Sequence, residues 1–118
     1  MDYFLGVDIG GTKSHALIAD VKGQALGFGL SGAGNYEVVG WDGLERVLHA
    51  IAAQALASAG IGKDQISGAG FGIAGYDWPG EWEQTRRAID SLEIEAPYEI
   101  VNDAIVGLLA GASEGWGV

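Results

Sequence analysis

Cysteine is absent from the 118 residues, so neither a disulfide scaffold nor a thiolate metal site can be built within them. Cations are scarce as well. Lys and Arg number 6 against 16 Asp and Glu, giving a net charge of −10. That balance excludes the basic footprint which nucleic acid or an anionic membrane requires of a partner. It leaves a phosphorylated small molecule open, because backbone N–H groups can hold phosphate locally. No apolar run approaches the roughly 20 residues that span a bilayer. Met1 is followed at once by Asp2 and a strand-like run, with no basic n-region and no cleavage signal. A cytoplasmic protein is the expectation, and the missing thiols suit a reducing compartment.

Glycine is the residue in excess, at 21 of 118 positions or roughly 18%, against a usual share of about 7%. It follows no three-residue period, which rules out collagen. Hydrophobic residues at 48% with 19% charged describe a globular chain. The length predicts one domain, over residues 1–118.

The pattern along the chain predicts β-β-β-α-β-α-β-α. Tyr3–Ile9 is a buried-strand run ending at Gly10-Gly11-Thr12-Lys13. Ser14–Val21 and Gln24–Leu30 complete an antiparallel meander around the turn Asp20–Gly23. In the third strand Leu26, Phe28 and Leu30 share one face, and Ala25, Gly27 and Gly29 the other. Trp41–Ala59 reads as a helix, with Leu44, Val47, Leu48, Ile51, Ala55 and Leu56 on one stripe. Asp42 and Glu45 resemble a capping box, and Gly60 suits the position after the last turn. A strand at Ile66–Ala74, a helix at Asp77–Leu92, a strand at Tyr98–Val101 and a helix at Asp103–Ala112 follow. A meander followed by βαβ crossovers implies a mixed five-stranded sheet with helices on its faces.

Two acidic strand ends carry the chemistry. Asp8 falls on the face opposite Tyr3, Leu5, Val7 and Ile9, and a carboxylate at the end of an apolar strand must be solvated or paired. The turn after it offers N–H donors, the Thr12 hydroxyl and the Lys13 charge, a concavity suited to phosphate oxygens. Asp8 could then hold Mg²⁺ through water. A plain hairpin turn explains the same residues equally well. Asp103, after Val101-Asn102, is either a helix N-cap or a proton acceptor in the crevice shared by parallel strand ends. Phosphoryl transfer needs positioning, charge neutralisation and such a base.

Four segments in order, Asp8-Ile-Gly-Gly-Thr-Lys-Ser14, Ser31-Gly-Ala-Gly-Asn-Tyr36, Gly70-Phe-Gly-Ile-Ala-Gly75 and Asn102-Asp-Ala104, resemble a known family over essentially the whole chain. It is the N-terminal half of N-acetylglucosamine kinase-like proteins of the BadF/BadG/BcrA/BcrD ATPase family, within the sugar kinase, heat-shock protein 70 and actin superfamily. The resemblance implies a ribonuclease H-like α/β fold with helices on both faces. It implies ATP and Mg²⁺ as cofactors, with Asp8 assisting the metal and Gly10, Gly11, Thr12 and Lys13 forming the first phosphate-binding turn. Asp103 becomes the base that takes the sugar hydroxyl's proton. Asn35, Gly75 and Asn102 line the sugar pocket, with Tyr36 and Asp77 as neighbours; Asn35 also reads as an ordinary loop residue.

The family's second phosphate motif and adenosine pocket belong to a C-terminal domain absent from these residues. The expectation is therefore one domain of a kinase for N-acetylglucosamine or a related hexose, inactive alone and homodimeric when full length. The alternatives are an ATPase that activates a 2-hydroxyacyl-CoA dehydratase or benzoyl-CoA reductase, and a non-catalytic interaction domain. Trp41, Trp78, Trp82 and Trp116 read as packing residues rather than sugar platforms. His15 and His49 have no zinc-ligand spacing. Of the glycines, Gly10, Gly11, Gly32 and Gly34 suit close approach to ligand, and Gly68, Gly70, Gly72 and Gly75 suit close packing. The rest read as turns and caps.

Overall fold

Alternation of apolar residues, interrupted by glycine turns, builds the first three strands: β1 (Tyr3–Ile9), β2 (Lys13–Asp20) and β3 (Ala25–Gly32). A computed structural model describes residues 2–10, 12–32, 36–73 and 82–101. The remaining elements are α1 (Tyr36–Ala59), a single 3₁₀ turn at Lys63–Gln65, β4 (Ile66–Ile73), α2 (Trp82–Asp90) and β5 (Tyr98–Val101). The 3₁₀ turn has no periodic signature and is not foreseen from the sequence. The third expected helix, Asp103–Ala112, lies outside the described residues, as do positions 77–81 of the second.

The sheet has five strands in the order β3-β2-β1-β4-β5. β2 runs antiparallel to both β1 and β3, whereas β4 pairs parallel with both β1 and β5. One face carries the main core. Leu5, Val7 and Ile9 of β1, Ala16 and Ile18 of β2, and Ala69 and Phe71 of β4 bury against Leu44, Leu48, Ile51 and Ala55 of α1. Ala88 and Ile89 of α2, with Leu92 beyond it, close the same core, so both described helices lie on this face. The other face holds a smaller cluster of Phe4, Leu17 and Ala19.

The helical stripe read from the sequence is the stripe that is buried, and Trp41 and Val47 pack at its margin. The start of α1 differs from expectation. Its non-helical residue is Gly40, at φ 76° and ψ 174°, which divides Tyr36–Val39 from the long helix. Asp42 therefore stands inside the first turn rather than capping it, where its carboxylate meets the positive end of the helix dipole. The far end is as read. Gly60 takes φ 72°, Ile61 N–H donates to Leu56 O at 3.2 Å, and Gly60 N–H to Ala57 O at 3.2 Å. This pair of bonds defines a Schellman stop.

β3 departs most from the sequence reading of glycine. Gly27 and Gly29 are neither turns nor caps but the seat of α1. A Cβ on Gly27 would stand 2.3 Å from the Ala55 carbonyl oxygen and 2.8 Å from Ala59 Cβ; one on Gly29 would stand 2.3 Å from the Ile51 carbonyl oxygen. The helix rests on strand backbone, so the large side chains Phe28 and Leu30 project from the other face and stay 50% and 49% exposed.

Candidate phosphate-binding edge

The β1–β2 connection is a two-residue hairpin. Gly10 N–H donates to Lys13 O at 3.0 Å, and Ile9 pairs with Ser14 immediately inside it. The closing bond commits the Gly10 amide, so Gly10 contributes space rather than a donor. A Cβ there would lie 2.6 Å from Lys13 O. Thr12 and Lys13 are exposed, leaving a hydroxyl and an ammonium group open to solvent at the turn. Gly11 lies outside the described residues.

Asp8 is half-buried on the face away from α1, two residues before the turn. The register places it in a row that crosses the sheet. Leu30 pairs with His15, His15 with Asp8, Asp8 with Gly72, and Gly72 with Val101. Paired residues of neighbouring strands face the same side. Since β1, β4 and β5 are mutually parallel, their carboxyl ends reach the same edge of the sheet. Asp8 and Val101 are two strands apart, about 10 Å at the usual strand spacing. Asn102 and Asp103 follow Val101 directly in the chain, and Gly75 and Asp77 follow β4.

Of the expected site residues, the structure places Asp8, Gly10, Thr12 and Lys13 at one end of β1 and β2. Tyr36 is the first residue of α1 and follows β3 at that same end. Asn35, Gly75, Asp77, Asn102 and Asp103 lie outside the described residues. Among the described residues, no three His, Cys, Asp or Glu side chains are grouped to hold a metal ion. A single strand-end carboxylate is nevertheless the kind of ligand magnesium takes together with substrate phosphates.

His15 is the neighbour the sequence reading passed over. It sits directly opposite Asp8, half-buried, and its ring meets Phe28 at 5.9 Å between centroids, tilted by 48°. The signal was available. A two-residue turn that pairs Ile9 with Ser14 must pair Asp8 with His15 one step back. The second histidine, His49, is structural. Its Nε2 lies 2.9 Å from Ser91 Oγ, and that hydroxyl donates to Ala88 O at 2.6 Å. A hydroxyl has one proton, so the imidazole is the donor in this pair. The bond ties α1 to the chain leaving α2.

A mixed sheet of this strand order, with crossover helices between its parallel strands, is a ribonuclease H-like fold. Solved structures share it. The ethanolamine utilization protein EutJ from Carboxydothermus hydrogenoformans matches with TM-score 0.64 at 19% identity, over 96% of this chain and 40% of that one. The inorganic polyphosphate/ATP-glucomannokinase from Arthrobacter sp. strain KM matches with TM-score 0.63 at 22% identity, over 100% and 51%. A ROK family glucokinase from Streptomyces griseus, solved with glucose and AMPPNP, matches with TM-score 0.61 at 24% identity, over 98% and 38%.

The chain belongs to the BadF/BadG/BcrA/BcrD ATPase family, which it matches over residues 5–114. It is also 27% identical, over all 118 residues, to the N-acetylmuramic acid/N-acetylglucosamine kinase of Clostridium acetobutylicum. It spans 39% of that relative's length. Among the described residues no helix is long and apolar enough to cross a membrane.

Proposed function

We propose that these residues form the N-terminal, sugar- and phosphate-facing domain of an ATP-dependent sugar kinase acting on N-acetylglucosamine or a related amino sugar. The observation that carries the reading is the row through Asp8, Gly72 and Val101. It brings the acidic end of β1 and the strand preceding Asn102-Asp103 to one edge of the sheet, beside the Gly10–Lys13 hairpin. The amino-sugar kinase of C. acetobutylicum, similar along the whole chain, supports the substrate class.

In this reading Lys13 and Thr12 hold phosphate oxygens, with the hairpin kept narrow by Gly10. Asp8 holds Mg²⁺ through water, and the residues fit that role because the carboxylate is a hard oxygen donor at a half-buried strand end. The bound ion would supply neutralisation of phosphate charge. Asp103 accepts the proton of the sugar hydroxyl as its oxygen becomes the nucleophile. Asn35, Tyr36, Gly75, Asp77 and Asn102 surround the sugar. A second domain supplies the rest of the nucleotide site, so this domain alone binds nucleotide from one side only.

The test uses the polypeptide that includes the second domain. Asp103→Asn should reduce sugar phosphorylation by at least about 10²-fold, the usual weight of a general base, while ATP affinity changes little. Near-normal turnover in that variant would refute the assignment. Assayed across hexoses and N-acetylhexosamines, the enzyme should show sugar-dependent ADP release; ATP hydrolysis indifferent to every sugar would move the protein to the redox-coupled ATPases.

A further inference from the structure

We propose that β3 is a dimerisation edge: two copies of this chain pair antiparallel through β3, about a two-fold axis at Phe28, and join their sheets into one. β3 is the terminal strand in the order β3-β2-β1-β4-β5, so among the described residues no strand lies along its outer side. The direction of its backbone groups follows from one bond. Leu30 N–H donates to Gln54 Oε1 at 2.9 Å, so it points away from β2. Phe28, two residues back, points its N–H the same way, because ladder direction alternates along an antiparallel strand.

The edge is self-complementary. Leu26-Gly27-Phe28-Gly29-Leu30 reads identically in both directions. Antiparallel pairing centred on Phe28 sets it against the partner's Phe28 and Gly29 against the partner's Gly27, with the bulge at Leu26 bounding the regular stretch. A two-fold axis perpendicular to the sheet keeps faces matched. Phe28 and Leu30, 50% and 49% exposed, would then form one continuous apolar strip with their counterparts, and such patches mark association surfaces. The interface is isologous and closes at two copies.

Charge favours a second copy at this strand above other parts of the surface. The chain carries −10, yet no charged residue occurs from Gly23 to Tyr36. The pairing register thus sets no acidic side chain against another. Edge strands are ordinarily guarded by lysine, proline or an inward charge, and β3 has none of these. Its guards are the register shift opposite Leu26 and the Gln54 amide over Leu30 N–H. A strand arriving at this edge must displace the Gln54 amide from that N–H, so Gln54 competes with association.

Sedimentation of the 118-residue chain over micromolar to millimolar concentrations tests this. A monomer–dimer equilibrium is expected. Phe28→Lys should abolish it with an unchanged circular dichroism spectrum, since it sets two cations together on the axis at an already exposed position. Gln54→Ala should tighten it several-fold. Amide exchange reads the same edge without substitution, and the Phe28 N–H should become more protected as concentration rises. A chain monomeric throughout, a dimer indifferent to Phe28→Lys, or a Phe28 amide whose exchange ignores concentration would each overturn the proposal.

Discussion

Replacing Gly27 by alanine tests how the helix is seated on the sheet. The added Cβ would lie 2.3 Å from the Ala55 carbonyl oxygen and 2.8 Å from both Ala59 Cβ and Ala59 N. Carbon–oxygen contact becomes comfortable only at about 3.3 Å, so α1 must withdraw by on the order of 1 Å. None of these atoms ends a flexible side chain; the helix has to move as a body. Overpacking of this kind costs about 1–3 kcal/mol, and the backbone contacts put Gly27 at the upper end. Loss of glycine's freedom in the unfolded chain returns about 0.4–1 kcal/mol. The net expectation is a loss of about 2 kcal/mol, a fall in Tm of roughly 6–12 °C for a chain of this size. Gly32→Ala is the control. It lies in the same strand, and its Cβ would meet nothing within 4 Å among the described residues, so it should be neutral or slightly stabilising. Urea and thermal melts of both variants decide the matter. If Gly27→Ala is no more damaging than Gly32→Ala, the close seating of α1 on β3 is wrong.

Gly10→Ala drives a methyl to 2.6 Å from Lys13 O and should cost about 1–3 kcal/mol by opening the hairpin, with weakened phosphate binding if that turn is the site; melts and nucleotide titration measure the two effects separately. Thr85 is fully buried, and among the described residues its hydroxyl has no hydrogen-bond partner. Thr85→Val should therefore be neutral or stabilising by up to about 1 kcal/mol, whereas a clear loss in a urea melt would mean the hydroxyl is satisfied.

What could be read from the residues was whatever depends on local pattern. The stripe Leu44, Leu48, Ile51 and Ala55 names the buried side of α1, and Gly60 stops it. Asp20 closes its turn as expected, its Oδ1 accepting from Lys22 N–H and Gln24 N–H at 2.9 and 3.0 Å. What could not be read depends on how close two elements come. Alternation in β3 marks two faces but does not say that the glycine face is the inner one, because hydrophobicity points to Phe28 and Leu30 instead. Only the distance between Gly27 and the Ala55 carbonyl decides it. The site divides the same way. Asp8 and its turn follow from strand parity, while its position in a row with His15, Gly72 and Val101 needs the strand order.

The kink at Gly40 has a consequence for how such a domain changes over evolutionary time. Its φ of 76° belongs to the region that side chains resist, and a Cβ there would touch nothing among the described residues, so backbone conformation is what favours glycine at the position. On one side of it lies the short turn Tyr36–Val39; on the other lies the helix that is backed onto strand backbone and cannot shift without cost. The joint makes the two sides separately heritable. A lineage can exchange the segment before Gly40 for one of different length or chemistry, and the seating of α1 does not have to be solved again. Substitutions before Gly40 should then leave the seating of α1 on β3 undisturbed.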